Sequence, residues 1–300
     1  MAKITNKTDL TFAPYAALLC VQLFFGSLPV IGKVVLQSVP PIALVGFRVG
    51  ITAFVLVVFQ TIRGRLWLKN KGDYWRLAVL SLFGVTFNQL LFISGLSLTK
   101  ASNTSLLAVT IPIFTLAVSS IFGTERLRGI KIAGIALAVF GVLFIIDPRN
   151  ASFSSSTTLG DIFIIINSLS FGIYVATSKG AVTRNGAFRS MMWVFVFASA
   201  ICVPLGLFSI SNVDVAAVPP STWLLIVYIA IFATATPYLL NAWALTRVTP
   251  STVAVFIYLQ PLIGFLLAVI LLGEMVDFKF MIATLLIFAG VYLVTKKSRS

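Results

Sequence analysis

The sequence predicts an all-α integral membrane protein of ten transmembrane helices in two inverted five-helix repeats, and three observations carry that prediction. Hydrophobic residues make up 59% of the chain and charged residues 10%, with a mean hydropathy of +1.05, so its solvent is mostly lipid. The chain also repeats itself. At an offset of 149, residues 95–145 align without a gap on 244–294, placing Ser102 on Ser251, Pro112 on Pro261, Glu125 on Glu274 and Gly141 on Gly290. Nearer the N-terminus the offset is 146, which puts Phe25, Gly26 and Lys33 on Phe171, Gly172 and Lys179. Finally, each half holds five long apolar segments; an odd number makes the second half enter the membrane from the opposite side, as in the inverted repeats of secondary transporters.

A hydrocarbon core of about 30 Å needs roughly 20 apolar residues per helix. The first repeat is expected over 14–147. Its first span, 14–37, follows a short tail with Lys3 and Lys7; the apolar stretch is too long for a signal peptide and no small-residue cleavage site follows. The second, 41–62, carries Arg48, and the third, 74–98, carries Asn88 and Gln89 after a connection marked by Gly64, Lys69 and Asn70. The fourth, 101–122, has Pro112 at its middle; the fifth, 127–147, sets Gly134 and Gly141 on one face, as small residues are where helices pack closely. A connection with the Ser154 to Ser156 run leads to the second repeat, expected over 159–295 with spans at 159–181, 187–209, 221–244, 250–272 and 277–295. Pro219 and Pro220 close the connection before the eighth span, and Pro261 sits inside the ninth. No connection is long enough to be a domain. Cys20 and Cys202 both lie inside spans and read as small apolar side chains.

A formal charge of +14 resembles a nucleic-acid footprint until its distribution is drawn. With the N-terminus in the cytoplasm, 17 of the 22 Lys and Arg residues fall on the cytoplasmic side, against Lys100, Arg149 and Lys279 outside. That is the positive-inside asymmetry; it places both termini in the cytoplasm of a cell membrane, with a bacterial inner membrane the expected location. The basic residues then orient the chain and touch anionic lipid, with no nucleic acid as partner.

Polar groups inside spans cost free energy unless they face the bundle interior or water, so function is sought there. Gln22, Asn88, Gln89, Asn167, Ser170, Tyr174, Tyr258 and Gln260 lie near span centres. Any one amide also serves as glue between helices, yet Gln22 and Asn167 hold nearly matching places in the two halves, and a site at a repeat interface draws on both. Pro112 and Pro261 each remove a backbone hydrogen bond at matching depth, marking a hinge or a binding site. Lys33 lies near the outer end of its span, where its stem reaches the interface. Arg48 lies about 10 Å deep by helical rise. It either attracts a substrate carboxylate or pins its helix to carbonyls, and both readings stay open. Glu125 and Glu274 sit at turns, where they complement the dipole of the next helix.

The stretches ASNTSLLAVTIPIF from Ala101, PSTVAVFIYLQPLIG from Pro250, LLGE at 271–274, FAGV at 288–291 and PPIALVGFR ending at Arg48 resemble EamA-type repeats of the drug/metabolite transporter superfamily. The resemblance runs over essentially the whole chain and rests on order, duplication and spacing, since each motif is short. Thr124 replaces the usual Gly before Glu125. The resemblance implies two inverted five-helix repeats around a central cavity, with spans five and ten at the periphery, and export of small metabolites, commonly amino acids and their relatives.

Other classes fit less well. A membrane enzyme needs clustered His, Cys or carboxylates, and the chain has no His and no midspan carboxylate pair. A channel needs a filter-like loop or a ring of charge, and neither is visible. A Walker loop is absent, and no metal or cofactor is expected. All eight carboxylates lie in tails, loops or helix ends, which favours transport without a proton relay. Phe25, Phe92, Phe171, Tyr238 and Trp243 suit an amphipathic solute; a monomer is expected.

Overall fold

A computed structural model describes residues 9–68, 70–99, 104, 107–146, 157–211, 213–260, 262–263 and 278–296. These form α1 (Asp9–Val35), α2 (Pro41–Ile62), α3 (Lys71–Leu98), α4 (Thr110–Ile121), α5 (Gly129–Ile146), α6 (Thr158–Asn185), α7 (Ala187–Ile210), α8 (Pro220–Leu245), α9 (Pro250–Leu259) and α10 (Phe278–Thr295). Among the described residues six helices, α1 to α3 and α6 to α8, are long and apolar enough to cross a membrane, and α4, α5, α9 and α10 contribute shorter apolar stretches. The protein is thus an all-helical, multi-pass membrane protein.

Local chemistry sets the boundaries. Pro41, Pro220 and Pro250 each occupy a first helical turn, where a missing N–H costs nothing. The Asn70 side chain accepts from Gly72 N at 2.9 Å and starts α3 before the apolar run begins. Helix α6 continues to Asn185, past the apolar pattern, because Arg184 and Asn185 both bond Asp73 at the start of α3 (2.7 and 2.9 Å).

Both α3 and α8 widen into a single π turn, at Leu82–Thr86 and at Ile231–Ala235. These turns are 149 residues apart, the offset read from the sequence. Glycines permit the closest helix crossings. A Cβ on Gly46 would stand 2.8 Å from the Gly206 Cα, and one on Gly50 2.9 Å from Val203, so α2 and α7 run antiparallel at backbone contact. Helices α5 and α10 pack the same way: Gly134 lies against the Gly290 carbonyl and Gly141 against that of Ala283. Helix α3 meets α6 through Gly95 and Gly160.

One end of the bundle, where α2 turns into α3 and α6 into α7, carries Arg63, Arg65, Arg76, Arg184 and Arg189. At this basic end the Arg189 Nε donates to the Arg65 carbonyl at 3.1 Å, and Glu125 accepts from Ser251 N and Oγ (3.1 and 2.7 Å) while paired with Lys131. The carboxylate so caps the start of α9, not that of the next helix, α5, which its place in the sequence suggested; Glu274 lies outside the described residues.

Candidate functional site

A cavity lies between α1, α2, α3, α4, α6, α8 and α9, with about 690 Å³ of empty space when the open solvent at its mouth is included. Of the residues singled out in the sequence, Arg48, Asn88, Gln89, Asn167 and Gln260 line it, together with Phe25, Phe92, Phe171 and Tyr238. The others stand behind its wall. Gln22, 1% exposed, accepts through Oε1 from Gln260 Nε2 at 2.9 Å and so supports a lining residue. The Tyr258 hydroxyl donates to the Val109 carbonyl at 3.0 Å, tying α9 to the chain just before α4. Tyr174 packs its ring on Gly84 and directs its hydroxyl to Met191 Sδ at 3.4 Å. Midspan depth found these tyrosines; depth alone does not say which way a helix face turns.

The polar groups form a chain. Asn88 Nδ2 donates to Asn167 Oδ1 at 2.6 Å, and Gln89 Nε2 donates to the Tyr238 hydroxyl at 3.1 Å. That hydroxyl, with one proton to give, lies 2.7 Å from the Gly84 carbonyl and 2.9 Å from Asn88 Oδ1. Gly84 is inside the π turn of α3, where a carbonyl loses its regular helical partner. In α8, Arg48 takes the equivalent role: Nη2 donates to the Ala233 carbonyl at 3.3 Å and Nε to Thr234 Oγ1 at 3.0 Å. Tyr238 was noted in the sequence only as one aromatic among many. Its offset from Gln89 is 149, so the repeat itself marks the pair.

The proline prediction needs refinement. Pro112 is buried in the first turn of α4, and the irregularity lies just before it: the Ala108 carbonyl, which a regular helix would give to residue 112, accepts instead from Ile111 N at 3.1 Å. The equivalent Gln260 N–H turns to the Ile257 carbonyl, and residues Phe256–Leu259 form a 3₁₀ turn. Pro261 itself lies outside the described residues. Ala108 and Ile257 both line the cavity, so the loosened turns face it.

Lys33 does not snorkel free. Its Nζ donates to the Thr99 carbonyl at 2.9 Å, and Lys179, 146 residues on, donates to the Val248 carbonyl at 2.6 Å.

The lining is symmetric at its centre and one-sided beyond it. Phe25 and Phe171, Gln89 and Tyr238, Ala108 and Ile257, and Ile111 and Gln260 are repeat-equivalent pairs, and both members of each line the cavity. Leu28, Pro29 and Thr104 also line it, whereas their equivalents Tyr174, Val175 and Val253 do not. All three lining residues lie toward the end opposite the basic one. This cavity therefore extends from the centre toward the end opposite the basic one.

Comparison with known proteins agrees with this architecture. A protein of Archaeoglobus fulgidus named an uncharacterized transporter is 27% identical over 266 residues, covering 88% of this chain and 91% of its own. A probable amino-acid metabolite efflux pump of Escherichia coli is 26% identical over 285 residues, 92% of each chain. A crystal structure matches with a TM-score of 0.75 at 19% identity, covering 97% of this chain and 98% of that one, which supports the fold. The model of the EamA-like transporter family matches residues 13–147 and 158–296, nearly the whole length, and the chain belongs to that family.

Proposed function

We propose that this transporter is a ten-span carrier of two inverted five-helix repeats, 14–147 and 159–295, which exports small amphipathic metabolites, amino acids and their relatives foremost, by alternating access. The observation that carries the reading is the one-sided cavity. Equivalent positions line it at the centre, yet beyond the centre it extends toward one end. In an inverted repeat, exchanging the conformations of the halves moves the hollow to the other side. The charge asymmetry supports a bacterial inner-membrane orientation with both termini and the basic end in the cytoplasm, so the hollow side faces out. The relatives named as efflux pumps support export.

Purified protein in liposomes tests the carrier: saturable counterflow of a neutral amino acid is expected, at similar rates with or without a pH or Na⁺ gradient, because no carboxylate among the described residues lines the cavity. Uphill accumulation driven by either ion would overturn uncoupled transport, and unsaturable flux would indicate a channel. A cysteine at Asn70 should resist an impermeant thiol reagent in intact cells, whereas one at Ser155 should react; the opposite pattern reverses the orientation.

A further inference from the structure

Arg48 is 1% exposed, and its charge has no acidic partner: among the described residues the ion pairs join Asp73 to Arg76 and Arg184, and Glu125 to Lys131. Its Nε and Nη2 are held by neutral acceptors on α8, and Nη1 has no hydrogen-bond partner among the described residues. A buried guanidinium left in that condition carries a desolvation penalty of several kcal/mol that neutral hydrogen bonds offset only in part. The two bonds to α8 fix the fork, and the cavity runs past it. Of the described lining residues none is acidic, so the cavity holds a positive charge to meet an anion and nothing of opposite sign to meet an ammonium. The amides of Asn88, Gln89 and Asn167 already bond one another or Tyr238, and Phe25, Phe92 and Phe171 offer apolar faces.

Resting on the carrier reading above, we propose that the cavity is a carboxylate receptor: Arg48 binds the carboxylate of a monocarboxylate with an apolar or aromatic tail, and an amino group on the solute adds no recognition. The solute class is then wider than amino acids and includes deaminated acids of the same shape. Cations of that shape are excluded, since two like charges would share a low-dielectric space.

Three ligands of one tail separate the possibilities: 3-phenylpropionate, phenylalanine and phenethylamine, each titrated calorimetrically against the purified full chain at neutral pH. The acid should bind at least as tightly as the amino acid, and the amine at least about 10-fold more weakly than either, the worth of one hydrogen bond to a charged group. Arg48→Gln should weaken the two carboxylates by about 10- to 100-fold and strengthen binding of the amine, since the like charge is gone, with Arg48→Lys intermediate for the carboxylates because charge remains while the fork is lost. If Arg48→Gln does not fold, the wild-type series decides alone. Equal binding of the amine, or no binding of either carboxylate, overturns the proposal. Counterflow in liposomes keeps the two readings apart: saturable exchange of amines in place of acids sinks the receptor and leaves the carrier, whereas unsaturable flux sinks the carrier itself.

Discussion

The π turns of α3 and α8 occupy equivalent places, and their carbonyls are satisfied by different chemistry. At the first, neutral donors suffice: Ser170 Oγ bonds the Phe83 carbonyl at 2.8 Å, and the Tyr238 hydroxyl lies 2.7 Å from that of Gly84. At the second, Thr52 bonds the Ala230 carbonyl at 2.8 Å, but the Ala233 carbonyl and Thr234 hydroxyl face the Arg48 guanidinium. Backbone groups freed inside a membrane must find partners, and the two halves meet that demand with different side chains. The backbone is the shared part and the charge is the private part. If the cavity is the carboxylate receptor proposed above, a cation supplied by one half would hold an asymmetric solute one way round.

Substitutions at matched positions test how deep the difference runs. The largest effect is expected at Gly84→Ala, since a Cβ there would stand 2.6 Å from Tyr174 Cγ; overpacking of that kind costs up to about 3 kcal/mol. The equivalent Ala233 already carries a Cβ, and Ala233→Gly should cost only about 1 kcal/mol through backbone entropy. Apparent melting temperatures in detergent rank the two, and an unshifted Gly84→Ala would mean that the Tyr174 ring moves freely. Thr234→Val comes next: it orphans the buried Arg48 Nε, a loss of about 2–3 kcal/mol for a bond to a charged group. Tyr238→Phe removes a neutral hydroxyl and should cost about 1–2 kcal/mol. Reversal of that order would show that the neutral turn, and not the charged one, is the tighter of the two. Ser170→Ala should be the mildest, about 1 kcal/mol.

Much of this architecture is legible in the sequence, because a gap-free offset of 149 predicts where equivalent groups fall, including the Gln89 and Tyr238 that meet each other. The depth of Arg48 was legible from helical rise, and so was its need for carbonyl or anionic partners. Its actual partners were not, because Ala233 and Thr234 come within reach only through the packing of α2 on α8 and the widening of a helix that no residue type announces. Tyr174 and Tyr258 share midspan depth with true lining residues but face away from the cavity, a distinction fixed by helix rotation. Pro112 marks a loosened stretch, yet the loosening precedes it, since the carbonyl a proline frees lies one turn earlier.

The two lysine clasps have a mechanical consequence. Lys33 joins α1 to α3, and Lys179 joins α6 to α8, so each ties together helices of its own half. The contacts Asp73 with Arg184 and Asn185, Glu125 with Ser251, and Arg189 with the Arg65 carbonyl instead bridge the halves, all at the basic end. At the opposite end Thr99 Oγ1 bridges to Asp161 at 2.6 Å. The close crossings of α2 on α7, α5 on α10 and α3 on α6 join the halves as well, and parting them at the basic end would also break several charge-assisted bonds. On the alternating-access reading, breaking those bonds would be part of each cycle, and salt at the basic end, which screens partly exposed pairs, would be expected to change the rate of turnover more than the affinity of the chamber within.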